Sequence, residues 1–468
     1  MTNWLPDLTA SSGPLYQRLA DSIESDIDRG VIDAGAKLPP QRDLAYDIGA
    51  TVGTVGRAYQ LLRERGLVSG EVGRGTYVLG RQNAKPDFIA PDAQGTRDID
   101  APRGKLRFDS TAAPDVGQGA IVTEVLSRTA SDHAHEISSY TRDFPERWFE
   151  AGASWLSRNS FRPSADTIVP TLGTHAAVMA AIAALTTPGD YVAFEHLTYS
   201  QISRSAGLIG RRTALVASDH QGLDPDDFER VCAQKHPKMI FLMPTVQNPT
   251  LAILPAARRE AIARIAREYN VVIIEDDLYG GLTEDPTPML ADYAPERTIV
   301  AGGLSKSVAA GVRGGWLSCP PAYRHRIRVA HKMMTGGMPF LLAEVNARLV
   351  LSGQAADIRK RAIAEINART AIVRETLAGF EFKSRDNIPF VWLTLPDPWL
   401  SGTFKNACLE HGVLIDDEDE FKAGRSEQVF HAVRFGISQP RQRKDIADGV
   451  AAIRRLLDEG RAGYDSFS

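Results

Sequence analysis

In the stretch PLYQRLADSIESDIDRG, apolar residues recur at every fourth position, Leu15, Leu19, Ile23 and Ile27, and the run stops at Gly30. That spacing predicts an amphipathic helix closed by the glycine. LPPQRDLAYDIG reads as a short helix opened by prolines and ended at Gly49. TVGTVGRAYQLLRERG predicts a third helix, with Thr51 as its cap and Val55, Ala58, Tyr59 and Leu62 facing inward. LVSGEVGRGTYVLG then alternates about its glycines, the pattern of a β-hairpin. Three helices and a hairpin over residues 13–80 make a winged helix-turn-helix.

The pattern lapses over residues 81–105, RQNAKPDFIAPDAQGTRDIDAPRGK, which are polar, irregular and without period. A linker that lets its two neighbours move is expected there. From residue 106 onward, short apolar runs alternate with helical stretches, which predicts a mainly parallel α/β sheet over 106–468. The clearest strands are TIVP, YVAF, MIFLM, VVIIEDD and TIVAGG.

Composition narrows the picture. With 468 residues the chain is long enough for two or three domains, and 43% hydrophobic with 24% charged residues is ordinary for a globular protein. A net charge of -4 gives no overall attraction to nucleic acid, so DNA would have to meet a local patch. Residues 13–47 carry four basic and seven acidic side chains, whereas 48–81 carry five basic (Arg57, Arg63, Arg65, Arg74, Arg81) against two acidic. The basic excess therefore falls on the third helix and the hairpin, where phosphates would lie. Cys232, Cys319 and Cys408 are scattered and lack metal-binding spacing, as in a reduced compartment. MTNWLPDLTASS has neither the basic end nor the apolar run of a signal peptide, and AAVMAAIAALTTPGD is too short for a bilayer. A cytoplasmic protein is expected.

Candidate chemistry sits at the strand ends, where ligands of such sheets collect. After TIVP, the backbone of Gly173, Thr174 and His175 opens a helix and could face an anion, although a Gly-Thr start also serves as a plain cap. After VVII comes EDDLYGG, whose acids could hold a protonated ring nitrogen or simply be ion-paired. PTVQNPT offers the Asn248 amide, and EHLTY offers the ring of Tyr199, each equally at home in a turn or in packing. GGLSKSVAAGVRGGW places Lys306 among small residues in a loop, with Arg313 seven positions on. A lysine with a depressed pKa can form a Schiff base, and an arginine fork suits a phosphate.

Two resemblances gather these pieces. KLPPQRDLA, TVGTVGRAYQLLRERGLV and GRGTYV resemble the DNA-binding domain of the GntR family of bacterial regulators. The likeness implies DNA contacts from Arg42, Thr51, Thr54, Arg57, Arg74 and Gly75, and Val52 stands where many relatives carry arginine. The ordered motifs of the larger part resemble a fold type I aminotransferase that binds pyridoxal 5'-phosphate. That likeness implies Lys306 as the Schiff-base lysine, Asp276 on the pyridine nitrogen, Tyr279 and Asn248 on the ring hydroxyl oxygen, and Tyr199 stacked on the ring. It further implies a phosphate held by Gly173, Thr174, His175, Ser305 and Arg313. HAVRFGIS resembles the strand supplying an arginine to the substrate carboxylate, here Arg434, with Asn248 beside it. Tyr140 resembles a tyrosine that reaches a neighbouring subunit's phosphate. Gly303 replaces a usual serine on the phosphate, Ala310 replaces a common proline, and YTRDFPERW alters the pattern around Tyr140.

Joined by a linker, the two parts resemble the MocR subgroup of GntR regulators. The implied protein is a homodimer that binds a two-half-site operator on double-stranded DNA and senses an amino acid or amine through an aldimine at Lys306. The other implied activity is genuine amino transfer from an amino acid to a 2-oxo acid.

Overall fold

A computed structural model describes residues 4–8, 13–33, 35–65, 67–71, 75–78, 95–97, 103–424, 426 and 428–467. It divides into two compact units, Met1–Gln94 and Gly95–Ser468.

The first unit holds α1 (Leu15–Asp28), β1 (Lys37–Leu38), α2 (Gln41–Asp47), α3 (Val52–Glu64), β2 (Val68–Glu71) and β3 (Gly75–Val78). The hairpin β2–β3 gains β1 as a third strand, in the order β1-β3-β2, all antiparallel. Leu19, Ile23, Leu44, Val55, Ala58, Tyr59 and Leu62 fill the core, so the four-residue period buries one stripe of each helix. Thr51 caps α3 through its hydroxyl, which accepts from the Thr54 N–H at 3.2 Å.

The second unit is built on a seven-stranded sheet. Its strands are β5 (Ile168–Thr171), β6 (Tyr191–Glu195), β7 (Arg212–Val216), β8 (Met239–Leu242), β9 (Val272–Asp276), β10 (Thr298–Gly303) and β11 (Gly315–Ser318), after a short β4 (Leu106–Arg107). The order is β5-β11-β10-β9-β8-β6-β7, parallel throughout except β11, which runs against both neighbours. Each of the five apolar runs lies in this sheet. TIVAGG is strand to its end, as expected, whereas Gly315 and Trp316, expected in the loop, begin β11, with Gly303 paired to Gly315. Gly315 is small for a reason: a Cβ there would lie 2.6 Å from the backbone of Gly173.

Helix α4 (Gly173–Leu185) starts where β5 ends, and Gly173 takes φ 83 to make that turn. Its nearly continuous apolar sequence fits burial on most sides, against the sheet and the helix Pro321–Thr335. A smaller sheet follows, with β12 (Phe382–Lys383), β13 (Phe390–Thr394), β15 (Asp416–Asp417) and β16 (Ala432–Gly436) in the order β12-β13-β16-β15. A parallel pair joins β4 to β14 (Val413–Leu414), tying the start of this unit to its C-terminal part. No helix among the described residues is long and apolar enough to cross a membrane.

Residues 95–97, within the stretch expected as linker, are packed against the second unit, as described below.

Candidate functional site

The carboxyl ends of the sheet strands open into a cavity of about 240 Å³. Gly173, Thr174, His175, Tyr199, Asn248, Asp276, Tyr279, Ser305, Lys306, Arg313 and Arg434 all line it. These residues are far apart in sequence, and strand-end loops together with β16 bring them to one place.

Lys306 projects from the loop between β10 and β11, and its Nζ donates to Thr111 Oγ1 at 2.9 Å. The same hydroxyl lies 2.9 Å from the Tyr279 hydroxyl. Burial lowers the Lys306 pKa to about 7, with Arg434 and Arg97 adding to the shift and Asp276 opposing it. Asp276 ends β9 and accepts from the Leu278 N–H at 3.0 Å. Burial raises its carboxyl to about 7, which marks a buried acid short of cationic partners. A protonated ring nitrogen would supply that partner.

Asn248 turns its Oδ1 to Arg434, which donates through NH1 at 2.9 Å, leaving the amide NH₂ as the donor for a ligand oxygen. Arg434, on β16, also donates through NH2 to Asp416 at 2.6 Å, while its buried Nε has no partner among the described residues. Phe421 and Phe390 face the guanidinium, at 4.6 and 5.6 Å from their ring centroids.

The opposite end suits an anion. Leu172 precedes α4 with no side-chain cap, so the first N–H groups of the helix are open to a ligand. The Thr174 Oγ1 and His175 Nδ1 are buried without hydrogen-bond partners among the described residues. Arg313 brings its guanidinium beside Gly173. Burial, aided by Arg313, lowers the His175 pKa and favours a neutral imidazole. Tyr199 donates to Gln201 at 2.8 Å and stands edge-on to His175, with ring centroids 6.2 Å apart. Orphaned donors at one end, a lone acid at the other and a low-pKa lysine between them fit the donor set that pyridoxal 5'-phosphate requires.

Gly303 has a steric reason. A Cβ there would meet Gly314 O at 2.7 Å and Thr174 Oγ1 at 2.9 Å, so no serine fits and the Thr174 hydroxyl occupies that corner. Sequence reasoning missed Thr111, Asp416 and Arg97. Thr111 lies in the irregular FDSTAAPD and Asp416 in LIDDEDE, where the surplus of acids was the one available signal. Arg97 carried none. Tyr140 lies away from this cavity and is 90% exposed.

In the first unit, Arg42, Thr51 and Arg57 are exposed and Thr54 is half-buried. Arg57 sits over the Tyr16 ring at 5.5 Å. Val52, the first residue of α3, is 45% exposed, a large apolar side chain offered to solvent. Gly75 begins β3, and Arg74 lies outside the described residues.

A fold type I aminotransferase unit joined to a winged helix-turn-helix is the class these features define. The profile of aminotransferase class I and II matches residues 115–429, and that of bacterial regulatory proteins, gntR family, matches residues 15–78. The chain belongs to the aminotransferase class I and II family, and with its GntR domain it is a regulator of the MocR-like kind. The uncharacterized HTH-type transcriptional regulator YdeF of Bacillus subtilis (strain 168) is 29% identical over 460 residues, 98% of this chain and 97% of that protein. Among solved structures, an archaeal alanine:glyoxylate aminotransferase superposes with TM-score 0.69 at 23% identity, over 76% of this chain and 91% of that one. LysN, an alpha-aminoadipate aminotransferase from Thermus thermophilus complexed with N-(5'-phosphopyridoxyl)-L-leucine, gives 0.67 at 21% identity, over 78% and 94%. The two superpositions establish the fold.

Proposed function

We propose that this DNA-binding regulator holds pyridoxal 5'-phosphate on Lys306 and responds to an amino acid or amine that takes the lysine's place. The observation that carries the reading is the convergence, in one cavity, of a lysine with pKa near 7, a buried acid without a strong cationic partner, and an orphaned anion cradle. When bound, the cofactor supplies an aldehyde that captures amines and a protonated ring that withdraws electrons. Asp276 would hold the proton at the ring nitrogen. Tyr279 and the Asn248 amide would meet the ring hydroxyl oxygen, and Tyr199 would cover one face. Gly173, Thr174, His175, Ser305 and Arg313 would hold the phosphate, and Arg434 would grip a ligand carboxylate.

In the first unit, Arg42, Thr51, Thr54, Arg57, Arg74 and Gly75 would meet the operator, with Thr51 keeping its capping role as well. A homodimer would present two such units to two half-sites. Residues 13–80, 81–105 and 106–468 are the proposed DNA-binding, linker and ligand-binding segments.

Genuine amino transfer is the second reading, favoured by the near-neutral Lys306 pKa, which suits a group that must gain and lose a proton at working pH. The visible spectrum of the full chain with an amino-acid and amine panel, beside Lys306→Ala, tests both. A cofactor band that requires Lys306 and shifts with one compound supports the sensor. Steady release of a keto acid with that compound selects amino transfer. Absence of any band after cofactor addition sinks both readings of the site.

A further inference from the structure

Residues 95–97 lie within the expected linker, and Arg97 reaches into the cavity described above. Arg97 lines that cavity and grips Asp416 with both arms of its fork, Nε to Oδ1 at 2.9 Å and NH2 to Oδ2 at 2.6 Å. Oδ2 of the same carboxylate accepts from Arg434 NH2, also at 2.6 Å. Asp416 is only 1% exposed and Arg434 is buried, whereas Arg97 keeps 29% of its side chain in solvent, so in this triad one buried acid lies between a buried and a half-buried arginine.

The rest of the segment is seated with equal care. The Arg97 N–H donates to Glu420 Oε2 at 3.2 Å, and the Thr96 hydroxyl donates to Asp417 Oδ1 at 2.5 Å. Lys405 Nζ donates to the Thr96 carbonyl. Gly95 passes so close to Glu420 and Arg204 that a Cβ there would run into both side chains. The seat is thus made of acids and bases at 405–420, next to the strand that carries Arg434, together with Arg204 from the helix Ser200–Leu208.

Charge decides what the seat does. Arg97 and Arg434 together outweigh Asp416 by one positive charge, the neighbouring Glu420 and Asp109 being matched by Arg204 and Arg107, and the buried Arg434 Nε has no partner among the described residues. A ligand carboxylate at Arg434 would bring the group to neutrality. With Arg97 withdrawn, Asp416 alone would cancel Arg434, and an incoming carboxylate would leave a buried negative charge in excess, a costly state. The geometry points to Arg97 as a positioning residue through which the linker and the ligand carboxylate favour each other. With the linker seated, Asp416 is shared between Arg97 and Arg434, and the Arg434 Nε is left for the ligand. With the ligand bound, Asp416 turns to Arg97 and holds the linker. Linkage requires both effects to be equal in size. The proposal rests on the reading of this cavity as a carboxylate-ligand site, and it deepens that reading by naming the element that feels the ligand.

Amide hydrogen exchange over residues 95–97 in the full chain reads the seated fraction, because the Arg97 N–H must leave Glu420 to exchange. Sodium acetate is the probe, against sodium chloride at equal ionic strength, in protein loaded with pyridoxal 5'-phosphate. Acetate is expected to slow exchange at 95–97 at least threefold, and Arg434→Gln to abolish that dependence. Asp416→Asn is expected to raise exchange at 95–97 about tenfold in chloride. Exchange that ignores acetate, or that speeds up with it, overturns the coupling. So does exchange unchanged by Asp416→Asn. The triad needs no cofactor, so the measurement is repeated without it. A Lys306-dependent visible band with no acetate effect refutes the latch alone, whereas an acetate effect with no band refutes the cofactor reading alone.

Discussion

Lys306 Nζ donates to Thr111 Oγ1 at 2.9 Å, and burial with two nearby guanidinium groups holds the Lys306 pKa at about 7. The lysine is thereby aimed, by a residue from the first strand-end segment of its unit, while its charge is disfavoured.

Capture of an aldehyde requires the neutral amine. Below pH 7 the lysine is mostly protonated and above it mostly neutral, so the rate of cofactor uptake should rise about tenfold from pH 6 to pH 8 and then level off. An ordinary lysine would keep gaining up to about pH 10.4. Arg434→Gln removes a charge that lowers this pKa and should move the midpoint up, whereas Asp276→Asn removes one that raises it and should move the midpoint down. Stopped-flow absorbance against pH gives all three midpoints.

Gly303→Ser should damage this protein. The added atoms would meet Gly314 O and Thr174 Oγ1 in a packed corner, at a cost of about 1–3 kcal/mol. Chemical denaturation should show the loss, and equilibrium dialysis should show no gain in cofactor affinity.

Arg57→Ala should weaken DNA binding on any sequence and reduce the slope of log affinity against log salt by about one, as loss of one phosphate contact does. Fluorescence anisotropy over a salt series measures it.

Val52→Arg should change which operator is preferred and leave the unfolding midpoint near its starting value. The residue is exposed at the start of α3, where an apolar side chain suits a thymine methyl and an arginine suits guanine. Selection from a randomised duplex pool reads the preference. An unchanged preferred sequence would remove Val52 from the base-reading set.

Much of this architecture was legible because periodicity reports burial. Five apolar runs became sheet strands, and the helix stripes became the core of the first unit. The candidate site was legible where a motif followed a strand directly, as with Lys306, Asp276 and Asn248. It was illegible where long-range pairing does the positioning. Asp416 owes its place to the pairing of β15 with β16, directly opposite Arg434, and no local pattern encodes that register. Arg97 belongs to a segment with no period at all. β11 was missed because Gly315 interrupts the β-favouring sequence at its start, and only the close pass of Gly173 explains why a glycine is needed there.

The pairing of Gly303 with Gly315 closes the base of the loop that carries Lys306, and the Leu304 N–H bonds to Gly314 O at 3.0 Å just above it. The two strand ends thereby fix where the loop leaves the sheet and where it returns. Lys306 is thus presented to the cavity from a loop clamped at both ends, so its amine starts from a fixed anchor.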